Sequence, residues 1–420
     1  MAEIRKKERI SSVVETKLCT GCGTCFAFCP NEAIEIVLDA KREIYIPELN
    51  DSKCNNCGVC FKVCPGYKVD FKSLNSELFG KAPDDILIGN YLSCYAGNAK
   101  KHNIRYNSTS GGLVTALLIF ALEEGLIDGA LVTRMNKDKP LEPEPFIART
   151  EKEIFEAMGS KYCPVPTNVI LKDILEAKNG ERFAFVGLPC HIHGLRKAEQ
   201  INKELKKKIV LSIGIFCSHV DSFQATRYLL KQMRLKAQNV KELKYRSGGW
   251  PGKMQVKLTN SEIHEFDYHE YVKITHAHNF FTPSRCFRCC DLTAELADVS
   301  CGDAWLPEYK SDNVGKSMII VRTKQGQDLV NKSLTKEFIE LNLIDRKKVV
   351  EAQGITFKKI STPEKLDINC GATLVRPNTR DKLSAVNQSI AYNLGRIPNQ
   401  FALKPYVYFT TLIGKFLARR

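Results

Sequence analysis

Two folds in series are predicted from this sequence: an α+β module over residues 1–70 and an α/β domain over 89–340. Three observations predict them. A cysteine-rich run near the N-terminus recurs once within the first module; the apolar pattern then lapses into polar residues over 71–88; beyond it, apolar helices alternate with short apolar strands. At 420 residues the chain is long enough for a buried core and for two or three domains.

The first module is justified by its cysteines. Cys19, Cys22, Cys25 and Cys29, with Pro30 behind, are repeated as Cys54, Cys57, Cys60 and Cys64, with Pro65 behind. Three cysteines two residues apart, then a fourth after three more, is bacterial ferredoxin spacing, in which the fourth thiolate of each run ligates the other cluster. Cys19, Cys22, Cys25 and Cys64 are therefore expected to hold one 4Fe-4S cluster, and Cys54, Cys57, Cys60 and Cys29 the second. Gly23 and Gly58 suit a backbone that curls tightly around a cluster. A pair of zinc ribbons would have no use for the third closely spaced cysteine. Between the runs, Ala33–Val37 and Ile44–Pro47 read as short strands.

Residues 71–88 are expected to be a linker. After it the predicted order is a helix over 112–124, a strand near 130–133, a helix over 168–178 and a strand over 183–186. A helix following His191, a strand over 209–216 and a helix from Ser222 come next, then extended pieces from Leu243 to Phe266 and a strand over 318–322. Such alternation predicts a largely parallel sheet. Cys190 and Cys217 fall just past two of those strands, at the end of an open α/β sheet where ligands bind. With Cys286 and Cys289 they make a third set of four thiols, expected to hold a third 4Fe-4S cluster, with zinc or separate core thiols as the alternatives. Cys290 and Cys301 are substitutes, while Cys94, Cys163 and Cys370 lie in no ligand pattern. His191, His193, His276 and His278 form no credible ligand set and are expected to be structural.

The N-terminus is charged and has no apolar signal segment, so the 17 cysteines point to cluster ligation in a reducing cytoplasm rather than to disulfides. The longest apolar runs, around 113–122 and 407–417, fall short of the roughly 20 residues that span a bilayer. The formal charge is +15. Nucleic acid is not expected as a partner, because the basic residues are dispersed and no reading motif accompanies them; a polyanionic small substrate or a membrane surface fits better.

Several segments resemble the beta-subunit family of coenzyme F420 hydrogenases and dehydrogenases: Ser108–Leu117, Gly159–Tyr162, Val186–His191, Gly214–Cys217, Tyr245–Gly252, Cys286–Cys289, Ala297–Trp305 and Gly315–Thr323, in family order. The resemblance implies that the second domain is an α/β flavin and iron-sulfur domain holding FAD and one 4Fe-4S cluster, three clusters in all, with coenzyme F420 as substrate. FAD contacts are expected from Ser110, Gly111, Gly112 and Thr115, where a helix begins and its free N–H groups favour a diphosphate, and from Ser160, Lys161, Tyr162, Gly187 and Pro189. Arg246 is read either as facing an anionic substrate or as pairing with a carboxylate; no catalytic residue is assigned. Three clusters at about −2 each with their thiolates, together with the flavin diphosphate, would offset about half the positive charge. A flavin beside clusters converts two-electron to one-electron transfer, so an electron-accepting partner subunit or complex is implied. The alternatives are a ferredoxin-dependent reductase of another organic substrate and an electron-transfer adaptor without hydride chemistry. Residues 341–420 are read as a C-terminal extension whose basic, aromatic end would dock on a partner complex or touch a membrane peripherally.

Overall fold

The computed structural model describes residues 9–275 and 279–361. In the first module each cysteine run closes into a short helix, Thr24–Ala27 and Val59–Lys62, entered through Gly23 and Gly58 with left-handed φ of 88° and 72°. Strands β1 (Ile34–Leu38) and β2 (Tyr45–Leu49) pair antiparallel from Ile34↔Leu49 to Leu38↔Tyr45, as the alternation predicts. Ile10, Val13, Leu18 and Ile34 bury themselves around Cys19, Cys25 and Cys64.

Residues 71–88, expected as a linker, instead begin with helix α1 (Phe71–Phe79). Asp70 caps it by accepting from the Ser73 N–H at 3.0 Å, and Gly80 ends it with φ of 70°. The helix is polar apart from one face, but Phe71 and Leu74 on that face are buried with Val63 and Val69 of the first module and Leu195 and Ala198 of the second. The two modules thus share a core, and the described residues fall within one compact unit.

The second module is built on an eight-stranded sheet of β3 (Ser93–Ala99), β4 (Gly129–Met135), β5 (Pro143–Ala148), β6 (Phe183–Gly187), β7 (Ile209–Ile215), β11 (Val299–Asp303), β12 (Ser317–Val321) and β13 (Ile339–Leu343). Their spatial order is β13-β3-β12-β11-β7-β6-β4-β5. Only the centre, β4, β6, β7 and β11, pairs in parallel; both flanks are antiparallel, so the largely parallel sheet expected from the sequence is a mixed one. Strand periodicity sorts its faces. Ala130, Val132, Ala184, Leu211 and Ile213 meet helix α2 (Leu113–Glu123) and the helix Lys324–Thr335. Leu131, Phe183, Phe185 and Ile209 meet α1, the helix Leu171–Glu176 and helix α3 (Pro189–Ile201). Helix α3 starts earlier than expected, with Pro189 at its first position, where a missing N–H costs nothing.

A smaller antiparallel sheet, β8 (Val240–Ser247), β9 (Lys253–Leu258) and β10 (Ile263–Asp267), packs on the helix Phe223–Gln232 through Leu243, Met254 and Val256. The start of the proposed C-terminal extension belongs to the domain: β13 joins the main sheet, and Val349 and Ile355 from two further helices are buried. The basic, aromatic end of the chain lies outside the described residues, as do Cys370, His276 and His278.

Candidate redox site

The two cysteine runs enclose two cavities. Cys19, Cys22, Cys25 and Cys64 line one of about 260 Å³, together with Gly21, Gly23 and Pro65. Cys29, Cys54, Cys57 and Cys60 line the other, of about 350 Å³, with Asn55, Asn56 and Gly58. Each cavity therefore draws three thiols from one run and the fourth from the other. The loops also turn N–H groups onto sulfur: Gly21 donates to Cys19 Sγ at 3.4 Å, Ala33 to Cys29 Sγ at 3.2 Å and Asn56 to Cys54 Sγ at 3.4 Å. Burial first, and then the neighbouring cysteines, push the Cys19 thiol up to about 12 and Cys64 to about 11. Such a crowd of thiols ionises only with a cationic centre among them, which is what cluster iron provides. Among the described residues no three Cys, His, Asp or Glu side chains converge closely enough to hold a single ion; the thiols instead surround space.

The third set forms past the C-terminal ends of β6 and β7. Cys190 sits in the first turn of α3; Cys217 follows β7 and its N–H donates to the Leu292 carbonyl at 2.8 Å; Cys286 opens a 3-10 turn that Cys289 closes. Burial raises Cys190 well above the usual thiol range, and its next strongest influences are Cys217, Cys22, Cys289 and Cys286. The four thiols thus sense one another, and Cys22 of the first cavity adjoins them. Lys358 adds a cation, donating to the Cys217 and Ser218 carbonyls at 2.7 and 2.5 Å.

The seam between the modules is tight where the Cys22–Thr24 loop meets Asn168 and the first turns of α3. Asn168 donates its backbone N–H to the Cys22 carbonyl at 2.8 Å and its side-chain amide to Thr24 Oγ1 at 2.8 Å and the His191 carbonyl at 3.0 Å. A Cβ on Gly194 of α3 would overlap the Thr24 hydroxyl, and one on Gly23 would meet Val169 at 2.6 Å. Lys197, one helical turn along, donates to the Cys64 and Lys68 carbonyls at 2.6 and 2.5 Å.

The residues expected to receive FAD lie in several places. Ser110 donates to the Lys316 carbonyl at 2.7 Å, and the Gly111 N–H to Ser317 Oγ at 2.8 Å, so both are engaged with the edge of β12. Gly112, with φ of 78°, starts α2 without a side-chain cap; the first-turn N–H groups up to Thr115 have no partner within the helix, which fits a diphosphate. Ser160 joins this place because its N–H donates to Thr109 Oγ1 at 2.6 Å. Lys161 is spent elsewhere: its ammonium donates to the carbonyls of Ala157, Met158 and Gly159 at 2.5, 3.0 and 2.9 Å, closing the end of the helix Glu151–Glu156. Gly187 and Pro189 belong to the turn beneath Cys190.

Tyr162 leads into an aromatic nest around Arg246. The guanidinium is buried, pairs with Asp303 at 2.9 Å, donates to Tyr162 Oη at 3.3 Å and lies 4.5 Å from the Tyr268 ring centre. Trp250 Nε1 also donates to Asp303, at 3.0 Å. Of the two readings of Arg246, carboxylate pairing is the one present. His191 hydrogen-bonds the Val165 carbonyl at 3.1 Å and His193 bonds Asp291 at 2.8 Å, which makes both structural. Asn168, Lys197, Lys358 and Asp291 carry no local sequence signal, because each acts on a segment remote along the chain and none sits in a local motif.

Known proteins resemble this chain in sequence and fold. A family model for the C-terminal part of the coenzyme F420 hydrogenase/dehydrogenase beta chain matches residues 180–347, the model for the N-terminal part of the same beta chain matches 94–172, and a 4Fe-4S dicluster domain matches 18–67. The chain is 26% identical over 290 residues to coenzyme F420 hydrogenase subunit beta of Methanosarcina barkeri, covering 68% of this chain and 92% of the relative. Against the corresponding protein of Methanococcus voltae it is 30% identical over 261 residues, 61% of this chain and 86% of the relative. Among solved structures, a chain of the F420-reducing [NiFe] hydrogenase complex from Methanosarcina barkeri aligns with a TM-score of 0.52 at 25% identity, covering 66% of this chain and 93% of that one.

Proposed function

Because the chain belongs to the coenzyme F420 hydrogenase/dehydrogenase beta-subunit family and carries a 4Fe-4S dicluster module ahead of the family domain, we propose that it is a coenzyme F420-dependent oxidoreductase that feeds an electron-transfer partner complex. FAD would supply the group that exchanges a hydride with the deazaflavin, and three 4Fe-4S clusters the carriers that take electrons singly. The residues that would hold the clusters are Cys19, Cys22, Cys25 and Cys64; Cys29, Cys54, Cys57 and Cys60; and Cys190, Cys217, Cys286 and Cys289. For FAD, the uncapped start of α2 would receive the diphosphate, Ser110 and Gly111 would fix that start against β12, and Lys161 would brace the 157–162 turn rather than touch the phosphate.

The observation that carries this reading is the order in which the thiol sets adjoin. Asn168 bonds both the Cys22 carbonyl of the first cavity and the His191 carbonyl beside Cys190, so the third set neighbours that cavity, while the second cavity stands at the outer end, with Cys57, Asn55 and Asn56 exposed. Electrons leaving the family domain would meet the buried site first and the exposed one last, where a partner can reach it. Flow in the opposite direction would use the same order.

Anaerobic oxidation of reduced coenzyme F420 with a viologen acceptor tests the proposal, alongside iron analysis. About twelve irons per chain are expected from three four-iron clusters, together with turnover that depends on bound FAD. Eight irons, unchanged by replacing Cys190 or Cys217, would remove the third cluster. A fully loaded protein that leaves the deazaflavin reduced would remove the substrate.

A further inference from the structure

Arg285 has no part in the roles described above, yet it sits between two of the thiol sets. It directly precedes Cys286, is only 4% exposed, and donates Nη2 to the carbonyl of Pro65, next to Cys64, at 3.3 Å. Its Nε and Nη1 are buried without a hydrogen-bond partner, and among the described residues no carboxylate pairs with it. A buried guanidinium with two idle donors and no counter-charge is expensive to keep. Each other buried arginine of the domain is used: Arg196 engages Glu199, Ser212 and Asp298, Arg246 engages Asp303, and Arg322 donates to Ile88, Asn90, Thr293 and Ser300. Arg285 alone among these four arginines combines the lack of a paired anion with two guanidinium nitrogens that have no hydrogen-bond partner.

Given the three-cluster reading above, we infer that Arg285 sets the reduction potential of the cluster held by Cys190, Cys217, Cys286 and Cys289, donating its idle N–H groups to cluster sulfur. With its four thiolates a 4Fe-4S cluster goes from about −2 to about −3 on accepting one electron, with no bond made or broken, so a neighbouring fixed cation favours the reduced form. Hydrogen bonds to sulfur act in the same direction. Lys358 is a second cation at this set, held by the carbonyls of Cys217 and Ser218. The Pro65 bond anchors Arg285 beside Cys64, the thiol that the second cysteine run lends to the first cavity, so the centre it biases is the one next in line to that cavity. The electron is supplied by reduced coenzyme F420, whose oxidation in the reaction proposed above releases two electrons and two protons.

The test is an EPR-monitored reductive titration of the full-length, cluster-loaded protein, comparing wild type with Arg285→Met and Arg285→Lys. In the Met variant one of three cluster midpoints should fall so that its one-electron equilibrium shifts about tenfold, or about 59 mV, with the other two unmoved and iron unchanged. The Lys variant keeps the charge but loses the planar donors, and its midpoint should lie between. A merely structural role would lower the unfolding temperature and leave all midpoints in place, which would overturn the inference. If the Met variant cannot retain the third cluster, the Lys variant decides: a midpoint below wild type supports the assignment, and one equal to wild type overturns it. Eight irons in the wild type would remove this inference along with the reading on which it rests.

Discussion

Cys94, Cys163 and Cys301 illustrate how a cysteine outside the three sets behaves. Cys94 lies in β3 and Cys301 in β11, and Cys163 is packed with Tyr245 and Met254. Burial pushes their thiols up to about 11, about 12 and about 12 respectively. Since the thiolate is the reactive form, a raised pKa keeps all three protonated at neutral and mildly alkaline pH. Anaerobic alkylation of the native protein at about pH 8 should therefore leave them unlabelled, and labelling in urea should modify all three, as read by peptide mass analysis. Labelling of native Cys301 would show that β11 is accessible and would reopen its candidacy as a ligand. The glycines of the cysteine loops were legible because a tight loop demands left-handed backbone, although Gly23 is additionally pressed by Val169 whereas Gly58 has open space around it. Lys161 shows what a local pattern cannot carry: a lysine beside a serine and a tyrosine resembles a phosphate contact, and only the fold reveals the three carbonyls to which its ammonium donates.

At the level of elements, α1 is the clearest case of a segment hidden from composition. Its nine residues include charged and polar side chains, and only its start and one further turn carry the apolar anchors Phe71 and Leu74 that both modules bury. Phe71 also stands edge-on to the His193 ring at 5.1 Å. Phe71→Ala should cost about 3–5 kcal/mol, as large aromatic truncations in a core do, lowering the urea midpoint, whereas replacing exposed Lys72 should leave it unchanged. A midpoint unmoved by Phe71→Ala would mean that α1 does not join the modules. The central strands were legible because buried parallel strands are short, apolar and separated by helices. The antiparallel flanks were not, since periodicity reports which face a residue occupies but carries no sign for the direction of pairing. The cysteine loops behaved differently again: their ligand chemistry is local, so spacing alone anticipated which thiols would surround which cavity.

On the scale of the whole molecule, the seam through Asn168, Gly194 and Lys197 leaves no room for the first module to move independently. Three hydrogen bonds from one asparagine, a glycine that must lack a side chain, and a lysine clamped on Cys64 and Lys68 hold the cysteine loop against α3. Many redox proteins deliver electrons with a tethered carrier that swings between donor and acceptor, and the swing is slowed by thick solvent in proportion to friction. Here the gap between the Cys190 set and the Cys19 set is fixed by packing, and with it the gap between the clusters proposed for them. Stopped-flow reduction of the ferredoxin clusters by reduced coenzyme F420 should then keep its intramolecular rate when sucrose thickens the buffer; a rate that falls with viscosity would mean the seam opens during turnover. A bound partner would in the same way receive electrons from a stationary wire, and the only diffusive search left would be its own approach to the exposed end.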